Sequence, residues 1–251
     1  MPTRADDRPL HVQTIHHPLL LEPHHLAGRS VVVFDVLRAT TTMAVALSRG
    51  AASVRLFTSL ESAGAAHAAF EGPKLLLGER ECVKPDGFDL GNSPREAASA
   101  DLAGRTLFMS TTNGTNALAA CAGARRLYAG CVLNAAATAR ALLAAGNDVT
   151  LVCAGTRGQF ADEDFAGAGL VIKRLGQIAA NPGPAIAFAD EGPTSVKAER
   201  QALELVFAQS AGGLHIKAAG LAEDLPACAA VDALNIVCRV RAEPLEAFAE
   251  G

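Results

Sequence analysis

Short apolar runs recur along this chain with alanine-rich stretches between them, and that alternation limits the folds open to it. The strand-like runs are residues 12–15, 31–36, 53–57, 74–77, 106–110, 126–129, 149–153 and 236–240. They favour Val, Leu and Ile and are too short for stable helices. The helix-like stretches between them are 41–48, 59–70, 94–101, 116–121, 135–145 and 162–178. Units of this kind build a mostly parallel sheet with helices on both faces, a three-layer α/β/α fold. Right-handed crossovers then place the strand C-terminal ends along one edge. Breaks at 181–184 (Asn-Pro-Gly-Pro) and 191–193 (Glu-Gly-Pro) precede helical stretches at 194–209, 214–219 and 225–230. We read these as a helical C-terminal elaboration of a single domain over 1–251, not as a second domain.

Half of the 251 residues are hydrophobic and 19% are charged, so a large core is available. The net charge of −4 argues against a nucleic-acid partner, which needs a basic face. A small anionic substrate requires only local positive charge. The six cysteines form no Cys-x-x-Cys pair and several sit in apolar runs, which predicts buried, reduced thiols. No apolar run approaches the roughly 20 residues that span a bilayer, and residues 1–9 are polar. The expectation is a soluble cytoplasmic protein with no membrane partner. A homodimer is the ordinary expectation for a soluble protein of this size.

Four strand-like runs end in polar residues. The run 31–36 delivers Asp35, followed by Arg38 and by Thr40, Thr41 and Thr42 at a helix start. The run 74–77 leads into Glu79, Arg80 and Lys84, and 106–110 into Ser110, Thr111, Thr112, Asn113 and Gly114. The run 149–153 leads into Arg157, Asp162, Glu163 and Asp164. Ligands of open α/β sheets bind at strand C-terminal ends. Carboxylates with arginines and amide-rich turns fit phosphoryl transfer. Hard oxygen ligands suit Mg²⁺, guanidinium groups clamp phosphate, and both stabilise charge on the transferring group.

Each piece also has a structural reading. Asp35 can cap the following helix, and the turn at 110–115 is an ordinary strand–turn–helix taken alone. Asp162, Glu163 and Asp164 suit a helix dipole. Ser93 before Pro94 reads as an N-cap. His16, His17, His24 and His25 lack zinc-type partners and read as loop histidines. His67 and His215 read as structural or surface residues. There is no P-loop, no Gly-x-Gly-x-x-Gly fingerprint and no Gly-x-Ser-x-Gly elbow. The coincidence of four strand-end loops favours a site.

Together these segments resemble the 2-phosphosulfolactate phosphatase (ComB-like) family. The resemblance rests on D-V-L-R-A-T at 35–40, G-E-R at 78–80, G-F-D-L-G-N-S-P at 87–94 and S-T-T-N-G-T at 110–115. The A-G…E-D…A-G pattern across 154–169 and the spacing of Asp224, Cys228 and Asp232 complete it. It covers about 31–240. It implies an α/β/α fold and a Mg²⁺-dependent hydrolase converting (R)-2-phospho-3-sulfolactate to 3-sulfolactate and phosphate, in coenzyme M or sulfolactate biosynthesis. One departure stands out. The family usually has glycines after G-E-R, whereas this chain has Glu81 and Cys82, and an extra acid opposes a multiply anionic substrate.

The expected catalytic residues are Asp35, Arg38, Glu79 and Arg80. Substrate binding is expected from Thr40, Lys84, Ser110, Thr111, Thr112, Asn113, Gly114 and Arg157, and Mg²⁺ ligation from Asp35, Glu79 and Asp164. Asp35 has two open roles, metal ligand or nucleophile. The alternatives are a phosphatase of another small phospho-hydroxyacid and a non-catalytic organic-anion binder. A haloacid-dehalogenase-type phosphatase is disfavoured because its second acid would fall at Leu37.

Overall fold

The computed structural model describes residues 10–179 and 195–250. The breaks expected at 181–184 and 191–193 lie outside the described residues. The strands are β1 (Val12–Ile15), β2 (Ser30–Phe34), β3 (Ser53–Phe57), β4 (Lys74–Gly78), β5 (Thr106–Ser110), β6 (Arg126–Gly130), β7 (Val149–Cys153), β8 (Val237–Ala242) and β9 (Leu245–Glu250). The helices are α1 (Ala39–Ser48), α2 (Leu60–Ala69), α3 (Pro94–Ser99), α4 (Gly114–Ala120), α5 (Ala135–Ala145), α6 (Asp162–Ala179), α7 (Val196–Gln209), α8 (Ala211–Ala218) and α9 (Asp224–Cys228).

The strands form one mostly parallel sheet in the order β1-β7-β2-β6-β8-β9-β3-β5-β4. The α/β reading holds, and helices cover both faces. On β5, Phe108 packs with Ala63 of α2 and Leu76, while its neighbours Leu107 and Met109 face the main core. This is the alternation of a strand buried on both sides. Helices α5 and α6 pack on each other; α5 also covers β6 and β8, and α6 covers β2 and β7.

Two features depart from the sequence expectation. First, β9 is an additional strand. Second, the strand C-terminal ends do not share one edge. Strands β1, β7, β2 and β6 are mutually parallel, as are β3, β5 and β4. The β8–β9 hairpin separates the groups through three antiparallel pairings, β6 with β8, β8 with β9, and β9 with β3. The two parallel groups therefore run in opposite senses.

Helix α1 explains how their tips still meet. Residues Ala39 to Leu47 are all buried, and the helix packs on β3, β6, β8 and β9. A helix buried on every side belongs inside a core. The sheet curls around it. Natural twist of about 20–25° per strand turns β5 by roughly 100° or more relative to β2 over the intervening steps. With the strands packed around α1, the tip of β5 meets the tip of β2, where Gly114 lies against Asp35 and Ala39. The seam is pinned by buried Glu246 on β9, which accepts from Ser53 Oγ (2.5 Å) and Arg55 Nε (3.4 Å) and pairs with Arg241.

Candidate active site

Asp35 follows β2 directly and is 7% exposed. Its Oδ1 accepts from the Ala39 N–H at 3.1 Å, so it does cap the start of α1. Thr40 fixes the Asp35 backbone: its Oγ1 accepts from the Asp35 N–H (3.1 Å) and donates to the Asp35 carbonyl (2.9 Å). From the other half of the sheet, the Gly114 N–H also donates to the Asp35 carboxylate. Capping and site-building are thus one arrangement. Burial pushes the Asp35 carboxyl up to about 7, and the charges of Glu79 and Glu163 add to the rise against the two N–H donors.

Gly114 is required by this close approach. A Cβ there would lie 2.6 Å from Ala39 Cβ and 2.7 Å from Asp35 Oδ2. Gly114→Ala is therefore expected to displace Asp35 and lower kcat by roughly 100-fold. Steady-state kinetics check this, and an unchanged kcat would remove Gly114 from the positioning of Asp35.

Glu79 ties the tip of β4 to the loop after β5. Its Oε1 accepts from the Thr112 N–H (2.7 Å) and hydroxyl (2.8 Å), and its Oε2 from the Cys82 N–H (2.9 Å). Thr111 and Thr115 exchange hydrogen bonds at the start of α4. Ser110 is buried, and its carbonyl accepts from the Glu79 N–H at 3.2 Å. Much of this turn's donor capacity is therefore engaged internally, on Glu79 and Asp35.

Arg38 is 2% exposed and donates to Asp224 Oδ2 at 2.6 Å and to the Cys82 carbonyl at 3.3 Å. Ser93 caps α3 through the Glu96 N–H (3.2 Å), as expected, and its hydroxyl donates to Asp224 Oδ1 (2.7 Å). Asp164 is buried beneath the site. Its two oxygens accept from the Val36 N–H (2.8 Å) and the Gly155 N–H (3.0 Å). Burial, then the nearby charges of Asp35 and Glu163, hold its carboxyl well above the usual carboxylate range. Glu163 is buried too, and its Oε2 has no hydrogen-bond partner.

A surface cavity lies over Asp35. Of the expected site residues, Asp35, Arg38, Glu79, Thr112, Asn113 and Arg157 line it. Thr40, Ser110, Thr111, Gly114 and Asp164 support the lining residues from behind. Arg80 and Lys84 are exposed and outside the lining. Arg80 pairs through its backbone with Val83, and Lys84 Nζ donates to the Asp89 carbonyl (3.3 Å). Sequence reasoning did not place Asn92, Thr156 or His215 in the site, yet they line the cavity with Glu81 and Cys82. Asn92 is buried and its Oδ1 has no protein partner. The motif at 87–94 contains it, so a signal for it existed. His215, read as structural or surface, lies at the cavity because α8 is carried there from a distant part of the chain.

Glu81 (φ 53°), Cys82 (φ 64°) and Arg157 (φ 52°) are in the left-handed region, which costs a non-glycine residue about 1 kcal/mol or more. The five other cysteines are buried and all six are free, as expected; only Cys82 reaches the cavity. No helix among the described residues is long and apolar enough to cross a membrane.

Comparison with known proteins agrees with this geometry. The family model described as 2-phosphosulpholactate phosphatase matches residues 15–243. A probable 2-phosphosulfolactate phosphatase of Carboxydothermus hydrogenoformans is 40% identical over 83% of this chain and 85% of its own length. Those of Thermus thermophilus (42%, over 82% and 86%) and Gloeobacter violaceus (36%, over 92% and 95%) are similar along the same span. With the strand-end motifs gathered over one cavity and the match running through nearly the whole chain, the protein belongs to the 2-phosphosulfolactate phosphatase family.

Proposed function

We propose that this protein is a Mg²⁺-dependent phosphatase that hydrolyses (R)-2-phospho-3-sulfolactate to 3-sulfolactate and phosphate. The observation that carries the reading is the charge imbalance at Asp35. Asp35, Glu79, Glu163 and Asp164 are buried near one another, while the buried cation beside them, Arg38, is paired to Asp224. A divalent cation offsets such an excess, and the oxygen donors suit Mg²⁺. Among the described residues no three acidic, His or Cys side chains converge into a protein cage. Mg²⁺ does not require one, because it binds through one or two carboxylates and keeps several waters.

Asp35 is the carboxylate best placed to hold the ion, since it lines the cavity, with Glu79 alongside. Asp164, with both oxygens on backbone amides, acts as the support that keeps the Asp35 loop and Gly155 together. Mg²⁺ when bound supplies charge stabilisation on the phosphate oxygens. Asn113 and Asn92 offer amides to the substrate, and Arg157 offers a guanidinium to its anions. Arg38 orients the mouth of the cavity through Asp224 and the Cys82 carbonyl.

Phosphate release from 2-phosphosulfolactate is the test. Activity in Mg²⁺ is expected to exceed that in EDTA by roughly 100-fold or more. Metal-independent hydrolysis would overturn the cofactor. Absence of turnover on any phospho-hydroxyacid, with anion binding intact, would make the protein a binder.

A further inference from the structure

The cavity's second guanidinium is already occupied. Arg157 Nη2 pairs with the Glu81 carboxylate and lies 2.8 Å from His215 Nε2; Glu81 Oε2 is 3.5 Å from the same nitrogen. All three side chains line the cavity. The arrangement places a carboxylate where an anion from solution would bind: on an arginine, beside a histidine, at the edge of the space over Asp35. Arg38 cannot substitute for Arg157, because Asp224 holds it. The Glu81 carboxylate is half exposed, so it can leave Arg157 for solvent without being buried unpaired.

We propose that Glu81 is a specificity-determining residue: its carboxylate occupies Arg157 until a second anion on the substrate displaces it. The inference rests on reading the cavity as a phospho-hydroxyacid site, in which the phosphate lies towards Asp35 and Arg157 meets the far end of the molecule. A substrate whose far end carries a sulfonate or carboxylate must break the Glu81–Arg157 pair and then sits close to a displaced like charge. A substrate with a neutral far end leaves the pair intact. Glu81 therefore weighs against charge at that end, and the strength of the Arg157 contact decides the outcome.

Calorimetric binding of 3-sulfolactate and of lactate, to the wild type and to Glu81→Gln, tests this without turnover. Glutamine keeps the size of the side chain and removes the competing charge. The expected result is that Glu81→Gln tightens 3-sulfolactate by about tenfold and changes lactate by less than about twofold. In an Arg157→Gln background the gain disappears, because no guanidinium is released. Equal gains for both ligands, or an unchanged affinity for 3-sulfolactate, would overturn the role of Glu81. Phosphate release from 2-phosphosulfolactate, measured alongside, separates the two readings. A selective gain in binding without any turnover leaves Glu81's role standing and removes the phosphatase reading. Turnover with unmoved selectivity does the reverse.

Discussion

Replacing Asp35 with asparagine is expected to abolish turnover and, in the metal-free protein at pH 8, to raise the melting temperature. The loss of activity follows from either chemical role, as Mg²⁺ ligand or as nucleophile, and is expected to reach roughly 1,000-fold. The gain in stability follows from burial. An ordinary aspartate ionises near 3.8, whereas Asp35 in the folded protein does so at about 7. Between those values the folded state keeps a proton that the unfolded state has released. Stability therefore falls as pH rises through that window, and the full loss persists above it. The difference corresponds to at most about 4 kcal/mol. The asparagine would carry no charge to bury and would keep an oxygen for the Ala39 N–H. Melting curves at pH 5 and pH 8 in EDTA decide the point. The two proteins should differ less at pH 5, where under half of the loss has accrued, and the variant should melt several degrees higher at pH 8. Mg²⁺ should raise the wild type alone. A variant that melts lower at pH 8, or that retains full activity, would remove Asp35 from the centre of the site. Trapping a phosphorylated aspartate in the wild type would identify the nucleophile.

The second large effect concerns the Arg38–Asp224 pair. Both side chains are 2% exposed. Asp224→Ala leaves a buried guanidinium with only the Cys82 carbonyl, and unpairing a buried ion pair costs about 3–5 kcal/mol. For a chain of this size that lowers Tm by roughly 10 °C. Asp224 also receives the Ser93 hydroxyl, so the change loosens α3 and α9 together with the start of α1. Joint replacement, Arg38→Met with Asp224→Leu, should restore much of the stability because no charge is left unpaired. It should not restore activity, because Arg38 lines the cavity. Thermal melts and steady-state rates on the three proteins measure this. An Asp224→Ala protein that melts within about 2 °C of the wild type would show that the pair does not hold these helices.

The parts of the fold that depend on neighbouring residues were legible in the sequence. The interior strands are apolar runs bounded by turns, and all eight expected runs match strands to within a residue or two at each end. The run at 31–36 stops at Phe34, because the Asp35 amide turns to Thr40 instead of continuing the ladder. Strand β9 was missed because Leu, Glu, Ala and Phe carry no β-branched signal. Pairing with β8 and β3, not propensity, makes it a strand. The polarity of the two groups of strands was not legible either, since it depends on where that hairpin inserts.

The site divides in the same way. Asp35, Glu79 and the turn at 110–114 sit at strand ends and could be read locally. Arg80 follows Glu79 in sequence but leads outward, because the Arg80–Val83 bridge closes a surface turn. Asp224 meets Arg38 across 186 positions, and no local pattern announces such a partner. The four loops do converge, though by the curl of the sheet around α1 and not along a shared edge.

The seam has a consequence for how the protein is made. Strands β8 and β9 come last in the described chain, yet they occupy the middle of the sheet. As the chain emerges from a ribosome, the earlier strands can assemble only as two separate patches, one ending at β6 and the other at β3. Each presents an open edge to other nascent chains. The hairpin is the keystone that joins them, and only its arrival brings Gly114 over Asp35. A chain without the hairpin therefore cannot complete the site, and the interval before closure is when its open edges are most exposed to pairing with other chains.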